Sequence, residues 1–109
     1  MIVDDDRDIR ETLGELLRDE GFRVEAAWNG ADAMKRLDSG FKPDLIILDL
    51  MMPVMDGLTF RARLKEANEL SSIPVIGLTA FPTIPVDFLC LTKPLSFDRL
   101  MTQIRTALV

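Results

Sequence analysis

The sequence predicts an α/β domain, a doubly wound five-stranded parallel sheet with helices on both faces in three layers. Two observations predict it. Short apolar runs alternate with amphipathic stretches along the chain, the pattern of strand–helix–strand units whose right-handed crossovers cover a parallel sheet with helices. The runs at 45–48 and 73–78 contain no charged residue, as befits strands buried on both faces. A length of 109 residues allows one domain with a real core, and residues 1–109 are taken as that single domain.

The elements follow in order. Residues 1–3 make a short first strand, shorter than normal, as in a chain trimmed or differently begun. Residues 7–20 carry Ile9, Leu13, Leu16 and Leu17 at helical spacing, Asp6 is placed to cap that helix, and Gly21 ends it. Residues 22–27 alternate and are β-prone. Asn29 caps a second helix that turns Met34 and Leu37 inward and closes at Gly40. The 45–48 strand leads into a Pro- and Gly-containing turn, where Gly57 supplies backbone freedom. A helix to about residue 69 then places Leu58 and Leu64 inward. Residues 73–78 and 88–92 are the last strands. Ser96 caps a final helix with Phe97, Leu100, Ile104 and Leu108 on one face.

Composition narrows the function. Thirteen basic against 18 acidic residues give a net charge of −5, and no basic patch invites direct nucleic-acid binding. No run approaches a membrane span, and no basic-then-apolar leader is visible. With one cysteine, Cys90, no internal disulfide can form. A reducing, cytoplasmic setting is expected, and Cys90, flanked by Leu89 and Leu91, is expected in the core. The absence of histidine removes Ser-His-Asp and Cys-His catalysis and His-based metal sites. Trp28 is expected to be a partly buried packing residue, and Met51 and Met52 to pack in a loop.

In a sheet of this kind ligands sit beyond the carboxyl ends of the strands. After Val3 come Asp4, Asp5 and Asp6; after Leu48 comes Asp49; after Leu78, Thr79; after Leu91, Thr92 and Lys93. Singly, each has an ordinary reading: a helix cap for the first aspartates, a β-branched strand residue for Thr79, a solvated charge for Lys93. Together they describe a site for a phosphoryl group and its metal. Clustered carboxylates need a hard cation, and Mg²⁺ prefers oxygen ligands and bridges carboxylates to phosphate. An ammonium and a hydroxyl suit phosphoryl oxygens, and a carboxylate can be the nucleophile that forms an acyl phosphate. Asp49, alone at the end of its strand, is the best placed.

The strings "VDDD", "LDLMMPVMDG", "GLTA" and "LTKP" resemble the receiver domain of bacterial response regulators, over nearly the whole chain and in the right order. The resemblance implies the flavodoxin-like strand order 2-1-3-4-5. It implies that Asp49 accepts phosphate from a histidine kinase or phosphotransfer protein, and that Asp4, Asp5, Asp49 and the backbone carbonyl of Met51 hold Mg²⁺. It further implies that Thr79 and Lys93 contact the phosphoryl oxygens, that the Lys93–Pro94 bond is cis, and that an unknown downstream protein reads the result. Met51 and Phe81 stand where the family flanks the hydrolytic water, and neither can orient one, so slow self-dephosphorylation is expected.

One region departs from the family. Only residues 80–87 separate the last two strands, where a parallel crossover normally takes a dozen or more, and Pro82 and Pro85 disfavour a helix. Either the fourth helix is replaced by an extended link, the favoured reading, or a segment is missing from the sequence. Roughly eight residues span ~26 Å, enough to return along a strand. The family's aromatic switch position holds Cys90, with Phe88 a candidate substitute. Two other functions stand beside the phosphoacceptor: a non-phosphorylated pseudo-receiver that docks proteins, and a Mg²⁺-dependent phosphohydrolase. Haloacid-dehalogenase-like phosphatases carry an aspartate two residues after the nucleophile, where this chain has Met51, so no turnover beyond self-phosphorylation and slow self-dephosphorylation is expected.

Overall fold

The computed structural model describes residues 1–52, 55–67, 69–80 and 88–108. Its elements are β1 (Ile2–Val3), α1 (Arg7–Asp19), β2 (Ala26–Ala27), α2 (Gly30–Asp38), β3 (Ile46–Asp49), α3 (Gly57–Glu66), β4 (Val75–Thr79), β5 (Cys90–Thr92) and α4 (Phe97–Ala107). All strand pairs are parallel, in the order β2-β1-β3-β4-β5, as expected.

Alternate residues of the inner strands feed two cores, because successive side chains point to opposite faces. Val3, Ile46, Leu48 and Val75 join Ala33, Leu37, Phe60 and Leu64 from α2 and α3. Ile2, Ile47, Ile76 and Leu78 join Leu13, Leu17, Leu100, Met101 and Ile104 from α1 and α4. The sheet is therefore the middle of three layers, and burial on both faces explains the uninterrupted apolar runs.

Caps set the helix starts. Asp6 accepts from the amides of Asp8 and Ile9, Asn29 from Asp32, Asp56 from Thr59 and Ser96 from Arg99. Gly21 and Gly40, at φ 95° and 106°, stop the first two helices in the left-handed conformation that glycine adopts at least cost.

Several expectations need correction. β2 is two residues long rather than six, because its ladder with β1 begins only at the Ile2–Ala26 pair; Phe22 and Val24 pack on the α1–α4 core instead. β3 runs Ile46–Asp49 rather than 45–48, β4 Val75–Thr79 rather than 73–78, α3 stops at Glu66, and β5 starts at Cys90. Leu16, Leu58 and Leu108 face solvent; Phe60 and Met101 fill the inward positions. Trp28 is 55 % exposed, and so is Met51, while Met52 is buried. Cys90 is half-buried against the α2–α3 core, and burial pushes its thiol pKa up. The expected loss of a helix concerns residues 80–87, and 81–87, with Phe81, lie outside the described residues. Among the described residues there are four helices, and none is long and apolar enough to cross a membrane.

Gly57 owes its place to close approach rather than to an unusual φ. A Cβ there would sit 2.5 Å from the Asp49 carbonyl oxygen and 2.6 Å from Leu50 Cα, both backbone atoms that cannot yield cheaply. Gly14, inside α1, would meet only the flexible end of Arg18, at 3.1 Å. Gly57→Ala should therefore destabilise by about 1–3 kcal/mol through overpacking. Gly14→Ala should stabilise by up to ~1 kcal/mol by relieving helix entropy. Urea midpoints that moved in the same direction for both would contradict this packing.

Candidate functional site

Register assembles the site. Val3 pairs with Leu48, which brings the next residues, Asp4 and Asp49, side by side on adjacent strands. Asp49 pairs with Leu78, so Thr79 lies one step beyond it on β4. Thr79 pairs with Thr92 and its carbonyl accepts from the Lys93 amide at 2.8 Å, which carries the chain from β5 into Lys93 at the same edge. The Lys93–Pro94 bond is cis, as expected.

Asp4, Asp49 and Thr79 are 1 %, 3 % and 2 % exposed, and Asp5 stands exposed at the rim. Oxygens of Asp4, Asp5 and Asp49 lie within 4.8 Å of one another. The Lys93 ammonium reaches into this cluster, 3.5 Å from Asp49 Oδ1 and 3.8 Å from Asp4 Oδ2. Backbone amides steady the carboxylates. Asp6 N–H donates to Asp4 Oδ1 at 2.9 Å, and Met51 N–H to Asp49 Oδ1 at 3.1 Å. Arg10 Nη1, from α1, donates to the Asp4 carbonyl at 2.8 Å; nothing in the motif pattern singled it out.

The electrostatics follow from burial. Desolvation pushes Asp4 up to about 6; the Asp6 amide and Lys93 oppose the rise, and Asp49 and Asp5 add to it. Asp49 is raised too, first by burial, with the Met51 amide and Lys93 opposing and Asp5 assisting. One ammonium does not compensate three neighbouring carboxylates.

The donor set fits a hard divalent cation. All the candidate ligands are oxygens, and Asp4 Oδ2 is buried with no hydrogen-bond partner among the described residues. The Lys93 ammonium stands 3.8 Å from that oxygen, beyond hydrogen-bond distance, and a buried carboxylate oxygen without a hydrogen bond is costly. Asp4, Asp5 and Asp49 would hold such an ion. Met51 adjoins them through its amide, and its carbonyl as a further ligand remains an expectation from sequence. Phe88 packs on the α2–α3 core, under the Arg61 guanidinium at 5.3 Å. Its direction, open in the sequence, is toward α3.

Comparison with known proteins agrees with this geometry. Residues 1–105 match the family described as response regulator receiver domain. The response regulator MprA of Mycobacterium ulcerans is 32 % identical over 118 aligned positions, covering 99 % of this chain and 49 % of that protein. The chain spans a third to a half of the length of the curated relatives it matches. Among solved structures, the signal receiver domain of a histidine kinase from Syntrophus aciditrophicus is 34 % identical with a TM-score of 0.87, over 98 % of this chain and 86 % of that one. The response regulator TrrA of Thermotoga maritima, solved in complex with Mg²⁺-BeF, is 32 % identical with a TM-score of 0.85, over 97 % and 95 %.

A folded-state pKa of about 6 for Asp4, against an ordinary 3.8, means that the folded chain keeps a proton the unfolded chain has lost. Metal-free stability should fall as pH rises through that window, by at most about 3 kcal/mol. Asp4→Asn keeps the acceptor for the Asp6 amide and removes the charge. Without metal it should melt higher than wild type at neutral pH and alike near about pH 4. Mg²⁺ should raise the wild-type melting temperature and leave that of the variant nearly unchanged. Equal metal-free melting at neutral pH would contradict the assignment.

Proposed function

The chain belongs to the response regulator receiver domains of two-component signalling, and from that membership we propose that it takes a phosphoryl group onto Asp49 with Mg²⁺. The observation that carries the proposal is the buried carboxylate pair Asp4 and Asp49, with Asp4 Oδ2 making no hydrogen bond among the described residues and the Lys93 ammonium 3.8 Å from it. A fold that needed no cation or phosphate here would gain stability by replacing either aspartate.

The donor is a histidine kinase or a phosphotransfer protein. An Asp49 carboxylate oxygen attacks phosphorus, the donor's bond to phosphorus breaks, and the leaving group takes up a proton. Mg²⁺ supplies positive charge that offsets the carboxylates and the phosphoryl oxygens. Lys93 moves from the carboxylates to a phosphoryl oxygen as charge shifts outward, and the Thr79 hydroxyl donates to another. The acyl phosphate then changes what a downstream protein binds. Phosphohydrolase turnover is disfavoured, because Met51 stands where such an enzyme would need its acid/base. The same lack makes self-dephosphorylation slow.

Incubation with acetyl phosphate and Mg²⁺ should add one phosphoryl mass to wild type and none to Asp49→Asn. No addition from acetyl phosphate or from a kinase, with Mg²⁺ binding also absent, would leave a pseudo-receiver that docks proteins without phosphorylation. Met51→Asn should hasten loss of the label by roughly tenfold or more, since an amide can orient water. Rapid loss in wild type, unaffected by that substitution, would overturn the slow-hydrolysis reading.

A further inference from the structure

We infer that Arg10 is a positioning residue that holds the turn of residues 4–6 in its cation-binding form. The inference rests on the Mg²⁺ reading of the site and extends it to a residue that touches neither metal nor phosphate. Asp4 N–H still belongs to the sheet, donating to Ala27 O at 3.1 Å. Past Ala27 the neighbouring chain leaves the ladder, since the Trp28 amide donates to Asp32 and Asn29 caps α2. The donor to the Asp4 carbonyl is instead the Arg10 guanidinium, at 2.8 Å in a half-buried setting. This bond ties the first full turn of α1 to the last sheet residue before the acidic turn. Within that turn, Asp4 Oδ1 is fixed by the Asp6 amide and Asp6 in turn caps α1. The peptide that bears Asp4 and leads to Asp5 is thus gripped from both ends. Arg10 grips its carbonyl with a guanidinium whose donors are fixed in one plane.

Charge and geometry predict opposite signs. A guanidinium near a cation site repels the cation, so if Arg10 acted through charge alone its removal would tighten Mg²⁺ binding. As a positioning residue, its removal loosens the turn and weakens binding, by roughly tenfold or more as for other outer partners of metal ligands. Arg7, whose guanidinium pairs with Glu11 in solvent, removes the same charge from the same helix without touching the turn.

The experiment is calorimetric titration of Mg²⁺ into wild type, Arg10→Ala, Arg10→Lys and Arg7→Ala, with amide exchange of the metal-free proteins. Arg10→Ala should bind Mg²⁺ roughly tenfold or more weakly. Arg10→Lys should recover part of the loss, Arg7→Ala should match wild type, and the Asp6 amide should exchange faster in Arg10→Ala. Unchanged or tighter binding by Arg10→Ala would overturn the inference. If wild type bound no Mg²⁺, the metal reading itself would fail. The exchange of Asp6 would then decide alone, faster exchange supporting the grip of Arg10 on the turn and unchanged exchange refuting it.

Discussion

Asp4 and Asp49 end adjacent parallel strands with their carboxylates buried beside each other, and the Lys93 ammonium, at 3.5 and 3.8 Å, is the cation they share. Removing such groups from water costs several kcal/mol each before their mutual repulsion is counted. The two apolar cores, one on each face of the sheet, hold the strands in register despite that cost. What β1 and β3 lose at their carboxyl ends they recover along Val3, Ile46, Ile47 and Leu48, all nearly inaccessible to solvent. A functional site that opposes its own fold in this way is where local rules are expected to be broken.

The same constraint reaches outward. Asp49 holds its position because α3 starts directly against its carbonyl, with Gly57 in van der Waals contact where any side chain would collide. Thr79 and Lys93 arrive by strand pairing, one residue past Leu78 and Thr92. Arg10 and the Asp6 amide fix the turn that carries Asp4. Each of these contacts is made by backbone or to backbone, so the fold itself places these groups.

Much of this was legible in the sequence. Carboxylates, a hydroxyl and an ammonium at the ends of apolar runs located the site, because parallel strands bring their carboxyl ends to one edge. The helix caps Asp6, Asn29 and Ser96 were legible for a local reason, since their oxygens bond amides within three residues. Strand lengths were not, because a strand is extended only where a partner pairs with it: the alternation of residues 22–27 says nothing of which residues lie beside β1. Helix faces were read too broadly. Leu16 and Leu58 fit an apolar stripe but stand outward, and only the direction of packing distinguishes them from Leu17 and Phe60. Trp28, in the bend between β2 and α2, is exposed too. Arg10 reads in sequence as one more solvated charge, and its bond to a carbonyl six residues back becomes visible only once the turn is folded.

The most direct test of the account is a crystal structure of this chain with Mg²⁺ and beryllofluoride, which imitates the acyl phosphate. The account predicts beryllofluoride on Asp49, Mg²⁺ held by Asp4, Asp5 and Asp49, and the Lys93 ammonium drawn off the carboxylates onto a fluoride. An Asp49 left bare under those conditions, with Lys93 still between Asp4 and Asp49, would contradict it.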